Sequence, residues 1–382
     1  MNTCVLIAMA VMTAEGSAHQ SSLAASRAPI KLVHEQTLEM PPGTHRPEVL
    51  VGDDGEVIVA VVQPVGPPGE GQVKHRAYRF DSDLNQVGEP MNLTWNEPPW
   101  GEPADHRAAW TGDELVVVYQ TLNFPERGRP RRGGGPAEDH AIDQSLMLAR
   151  FDLEGNELFR GPIVEQVTNF YIDNFPDHCL LLEGDSLLVS TGTRGGIIQQ
   201  ASPTVALREV NLEGEVLAEH RLPQDPDNIQ GTIGNSMIRL DDQLVMVSGR
   251  PMAGAGLTLS LIEGTEHMST KPMAKFPSTE ERHFPTDILQ VGECLLVGYI
   301  ARSQSGGDPQ KNPYAPHLLI IGPGMNEVAD LAVGVEGFAH VHPTMALMGD
   351  RLLYCWSQRL PQGPGWMPQV MIEVFRIEPS AE

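Results

Sequence analysis

One element recurs six times along the 382 residues and constrains the fold more than any other feature. It is a Gly/Asp-type turn running into an apolar strand: DDGEVIVAV (53–61), GDELVVVY (112–119), GDSLLVST (184–191), DDQLVMVS (241–248), GECLLVGY (292–299) and GDRLLYCW (349–356). The anchor residues Val57, Leu115, Leu187, Leu244, Leu295 and Leu352 stand 51 to 72 residues apart. A strand, a tight turn and another strand follow, clearest in YRFDSDLNQVG (78–88), ARFDLEGNEL (149–158) and REVNLEGEVL (208–217). SLIEGTEHM (260–268) and LIIGPGMNEV (319–328) are looser copies. Four short strands per period, A to D, with Gly, Asp and Asn in the turns, is the signature of a propeller blade.

The expected fold is therefore all-β, a six-bladed β-propeller with four antiparallel strands per blade. The sixth copy ends on its strand C, VMIEVFRIEP (370–379), and lacks a strand D. The spare strand is IKLVHEQTLE (30–39), and pairing it with the last blade closes the ring and removes its free edges. Thirty-eight Gly and 32 Pro spread along the chain exclude a helical bundle or coiled coil. At 41% hydrophobic residues the chain can bury a full core. A net charge of −24 argues against nucleic acid as a partner, because phosphate contacts need a basic face.

The N-terminus reads as a processing segment. Residues 4–12, CVLIAMAVM, are apolar and are followed by Gly16-Ser17-Ala18, the h-region and cleavage site of a secretory signal, although Met1-Asn2-Thr3 carries no basic residue. The expected organisation is a signal peptide at 1–18, a linker at 19–29 and one propeller domain at 30–380, secreted or periplasmic. No later stretch approaches the ~18 apolar residues of a membrane span. Cys179, Cys294 and Cys355 lie in or beside apolar strands, fit no zinc spacing and imply no disulfide framework.

Short turns are expected on one face of the ring and long B–C loops on the other: 120–144, 192–203, 249–256, 301–316 and 357–368. Variable loops on a rigid repeat are where binding and catalysis sit, so the chemistry is sought there. A histidine stands at or near the start of strand A in five periods: His45, His106, His178, His283, and His340 with His342; the fourth has Asn235. Imidazoles converging on the axis admit three readings. They are a repeated structural strand start, a site for one divalent metal through His45, His283, His340 and His342, or acid–base groups, with His106, His178 and His283 as candidates.

A second set is cationic. Arg194, Arg302 and Arg359 fall seven residues after their anchors and Arg250 six, where strand B runs into its loop. Guanidinium holds carboxylate, sulfate or phosphate through a planar fork, which points to an anionic small molecule or glycan as partner. The alternative is four solvated arginines paired with nearby acids. Tyr299, with Tyr119 and Trp356 at the matching step of their own blades, is a further acid–base candidate, and core packing is the competing reading.

The six-bladed layout over residues 30–380 resembles the sialidase-like, carbohydrate-active propellers. The His-Arg-Pro at 45–47 is similar to the Arg-centred start of a sialidase first blade, whereas the S-x-D-x-G-x-T-W box of that superfamily is absent. The resemblance implies a sugar substrate. Combined with the arginines, the expected function is an extracytoplasmic propeller that binds and cleaves an acidic sugar by lyase- or glycosidase-type chemistry. The alternatives are a metal-dependent enzyme built on the histidine ring, and a non-catalytic envelope scaffold. The sequence carries no signal of oligomeric state.

Overall fold

The computed structural model describes residues 30–64, 73–93, 102–123, 142–169, 178–192, 204–223, 233–249, 256–264, 269–276, 281–303, 314–333, 343–362 and 365–379. Among them are 24 strands, β1 to β24 in chain order, in six four-stranded antiparallel sheets. Five sheets each hold four consecutive strands in chain order. The sixth joins the first strand to the edge of the last three, next to the final strand. In it β1 (Ile30–Glu39) runs antiparallel to β24 (Gly365–Pro379), from Ile30 opposite Pro379 to Glu39 opposite Met371. The chain is a six-bladed β-propeller closed by its first described strand.

Alternation along each strand explains how the blades join. One apolar cluster sits at each of the six blade junctions. All six repeat anchors pack onto the preceding blade: Leu115 onto blade 1, Leu187 onto blade 2, Leu244 onto blade 3, Leu295 onto blade 4, Leu352 onto blade 5, and Val57 back onto blade 6. Residues one step along, such as Ile58 and Val116, pack onto the following blade. Central strands buried on both faces read as near-continuous apolar runs for this reason. Cys179, Cys294 and Cys355 are buried and unbridged.

The innermost strands are β2 (His45–Val51), β6 (Glu102–Trp110), β10 (His178–Glu183), β14 (Ile233–Leu240), β18 (Glu281–Val291) and β22 (Thr344–Met348). Each touches the next and β22 touches β2, so they form a closed ring around the axis. On the turn face, Asp152 caps its C–D turn by accepting the backbone N–H groups of Glu154 and Asn156 through Oδ1, and Gly155 takes φ +87°. Asp81 repeats this with Asp83 and Asn85. Blade 1 departs from the short turns expected there. Its C–D connection runs on to Pro90, pinned by a Phe80–Gln86 bridge, and leaves a strand D of only Met91–Leu93.

Candidate functional site at the loop-face end of the axis

Four of the six inner strands carry a β-bulge near their start: between His45 and Glu48 in β2, Pro103 and His106 in β6, Ile233 and Asn235 in β14, and Pro285 and Asp287 in β18. A bulge inserts a residue, breaks the alternation and re-aims side chains. In β2 it holds Arg46 at φ +52°, left-handed backbone that a non-Gly residue seldom adopts. The Arg46 N–H donates to Ser357 Oγ at 3.1 Å, which fixes the start of blade 1 against blade 6.

Below the strand starts lies a charged cluster around one buried guanidinium. Arg107, 5% exposed, donates through Nη1 to Glu48 Oε2 at 3.0 Å and through Nη2 to the Thr286 carbonyl at 2.9 Å. Thr286 is on blade 5, opposite blade 2 in a ring of six, so the guanidinium spans the axis. Asp287 accepts the backbone N–H of Met345 at 2.6 Å and of Ile288 at 2.8 Å. Thr286 Oγ1 donates to the Pro343 carbonyl, and Thr344 Oγ1 donates to the Pro47 carbonyl. Burial pushes the Glu48 carboxyl up to about 7 against the pull of Arg107, with Asp287 adding to the rise. Burial likewise pushes Asp287 up to about 6, against Arg107 and the two backbone donors.

Nearer the loop face, His75 of β4 (Val73–Phe80) meets His106 edge-on, with ring centroids 5.1 Å apart, at the junction of blades 1 and 2. Both are buried, at 1% and 6% exposure. Burial first, then His106, Arg46 and His45, hold the His75 imidazole well below its usual pKa, so it is neutral at physiological pH. Three imidazoles and one guanidinium thus gather at one place in a strongly acidic chain. Among the described residues, Thr121 Oγ1 on blade 2 and Trp356 Nε1 on blade 6 are buried with no hydrogen-bond partner, which suits ordered water at each.

The other candidates are distributed as follows. His178 and His283 have their backbone at the starts of β10 and β18, opposite Thr191 and Ala301, but their side chains lie outside the described residues. Arg302 and Arg359 are placed by backbone only, at the loop ends of β19 (Cys294–Ser303) and β23 (Arg351–Gln362). Arg194, Arg250, His340 and His342 lie outside the described residues. Among the described residues, no three His, Cys, Asp or Glu side chains come together as a metal cage. Tyr119, Tyr299 and Trp356 do share a face, each packing onto the preceding blade. Tyr299 is 1% exposed; its hydroxyl donates to Asp330 Oδ2 at 2.6 Å and lies 3.2 Å from His317 Nδ1, itself 3.1 Å from Asp330 Oδ1. That network joins β19 to β20 (Tyr314–Ile321) and β21 (Glu327–Ala332), on the outer side of blade 5.

Glu48, His75 and Arg107 were not singled out by the sequence reading. The signal was there in HRPEVLV, VKHRAYRF and EPADHRAAW, where a charge or imidazole falls among strand positions that also carry apolar residues. An isolated strand cannot say which interruptions meet across the ring.

No protein-family model matches the chain, and no curated protein matches it. Its structure is similar to that of a phage phi92 endosialidase, with TM-score 0.59 and 11% identity over 93% of this chain and 70% of that one. It is also similar to an α-L-arabinofuranosidase from Fusarium graminearum, with TM-score 0.55 and 8% identity over 89% and 97%. A third similar structure is the parainfluenza virus 5 hemagglutinin-neuraminidase, with TM-score 0.51 and 9% identity over 90% and 94%. At these identities the likeness is one of fold alone.

Proposed function

We propose that this propeller is an extracytoplasmic protein that binds an acidic glycan at the loop-face end of its axis and cleaves it. The observation that carries the reading is the gathering of His45, Arg46, His75 and His106 at the loop-face ends of β2, β4 and β6, three imidazoles and a guanidinium in a chain of net charge −24. Three solved propellers of similar structure are named for glycan-directed activities, which makes a sugar the first ligand class to test.

In this reading Arg46 holds the carboxylate or sulfate of the substrate, with Arg302 and Arg359 at the loop ends of β19 and β23 and the sequence candidates Arg194 and Arg250 as further contacts. Neutralising a uronate carboxylate acidifies its C5 proton. A neutral imidazole then takes that proton while the C4–oxygen bond breaks, leaving an unsaturated uronate, and a proton returns to the leaving oxygen. His106, His178 and His283 are the candidate bases. We rank His106 above Tyr299, whose hydroxyl is engaged with Asp330 and His317 away from the axis. Hydrolysis instead needs two carboxyl groups flanking the bond. Of the strand-start acids Asp105, Asp177 and Asp287, only the last has a described side chain, and it is committed to two backbone donors.

The test is a screen of uronate-containing and sulfated glycans, reading reducing ends and unsaturated ends separately. Unsaturated ends that vanish in His106→Ala while binding persists are the expected result. New reducing ends without unsaturation move the chemistry to hydrolysis. No binding to any acidic glycan removes the proposal.

A further inference from the structure

The Glu48–Arg107–Asp287 cluster has a charge count that does not balance. Two carboxyl groups stand beside one guanidinium where β2, β6 and β18 meet at the axis, Arg107 buried and Glu48 and Asp287 partly buried. With both carboxyls ionised the cluster carries a net negative charge in a poorly solvated place, and burying an uncompensated charge is costly. Taking up one proton cancels it. Geometry says which group takes it: Asp287 already receives two backbone N–H bonds that favour its ionised form, whereas Glu48 has the Arg107 contact.

The same residues tie blades together. Arg107 links blade 2 to blades 1 and 5, Asp287 links blade 5 to blade 6, and Thr344 links blade 6 back to blade 1. We propose that this cluster is a proton-holding axial latch, in which one carboxyl proton, centred on Glu48, lets Arg107 span the ring, and whose loss at alkaline pH loosens the junction of the inner strands.

Several groups face the latch from the packed elements. They are Cys179 of β10, Tyr354 and Cys355 of β23, and Glu373 of β24 near Cys355. Burial raises the thiols and the Tyr354 phenol, so all three stay neutral below pH 8 and leave the carboxyls to titrate. The sign follows from linkage. A carboxyl raised in the folded state adds stability below its unfolded value and loses it as pH rises through its folded value, here about 6 to 7. His75, held low, gives the opposite slope, so the latch must be read as a difference between two proteins.

The experiment compares urea unfolding of the full chain with that of Glu48→Gln, a neutral isostere of the protonated latch, at pH 6 and pH 8. The unfolding constant of the wild type relative to the variant is expected to rise about tenfold between the two, one proton's worth over that window. A ratio that does not change overturns the latch. Infrared spectra of the wild type alone provide a second reading that survives a misfolding variant. A protonated-carboxyl carbonyl band present at pH 6 and gone by pH 8 supports the latch, and its absence at pH 6 rejects it.

Discussion

Arg107 holds polar contacts to blades 1 and 5 at once, and its replacement separates two kinds of electrostatic loss. Arg107→Met removes the cation while leaving Glu48, Asp287 and the Thr286 carbonyl in place. Breaking one partner out of a buried pair costs about 3–5 kcal/mol, so a marked fall in the urea midpoint is expected. Glu48→Gln at pH 8 removes a buried charge instead and is expected to be neutral or stabilising. Tyr299 gives a different contrast. Tyr299→Phe deletes the donor to Asp330 and is expected to cost about 1 kcal/mol, with glycan cleavage retained because the hydroxyl faces the outer strands. Loss of cleavage in a folded Tyr299→Phe would return that phenol to the chemistry.

At the scale of elements, the turn and the closing strand each make a claim about energetics. Gly155 has φ +87° and an added Cβ there would sit 3.2 Å from the Met91 Cβ, whereas Gly112 has φ +100° with open space around it. Both Ala substitutions meet backbone strain of about 1 kcal/mol, and Gly155→Ala is expected to cost more because Met91 must also yield; thermal melts of the pair read the difference. β1 is the other case. It is largely exposed yet covers the edge of β24, with Glu35 bridging Arg351 and Arg376 and Glu373 receiving Thr37. A chain starting after Glu39 is expected to lose cooperative unfolding and self-associate through the uncovered edge, read by chromatography and dye binding. These elements were legible because their signals are local: the GDxL turn, the apolar anchor, the missing sixth strand D. The bulges in β2, β6, β14 and β18 were not, since a bulge is a relation between two strands and leaves no mark in either one alone.

For the whole molecule, repetition explains both what could be read and what could not. Six copies of one pattern imply a ring, and Leu115, Leu187, Leu244, Leu295, Leu352 and Val57 do each pack onto the preceding blade. Function resides where the copies differ, and differences scattered over six strands acquire meaning only when the ring brings them together. His45 and His106 were visible as strand-start histidines. His75, on a strand C, lines up with His45 across Val62 and meets His106 through the packing of blade 1 on blade 2. The charge of −24 sharpens the functional claim, because a protein so acidic has to concentrate cations locally to hold an anion. The most direct measurement is therefore calorimetric titration of the chain and of Arg46→Ala with matched acidic and neutral oligosaccharides at two salt concentrations. Binding restricted to the acidic sugar, weakened by salt and reduced more than tenfold in Arg46→Ala, is the expected result. Equal binding of both sugars, or an unchanged affinity in Arg46→Ala, would contradict an acidic-glycan site at the loop-face end of the axis.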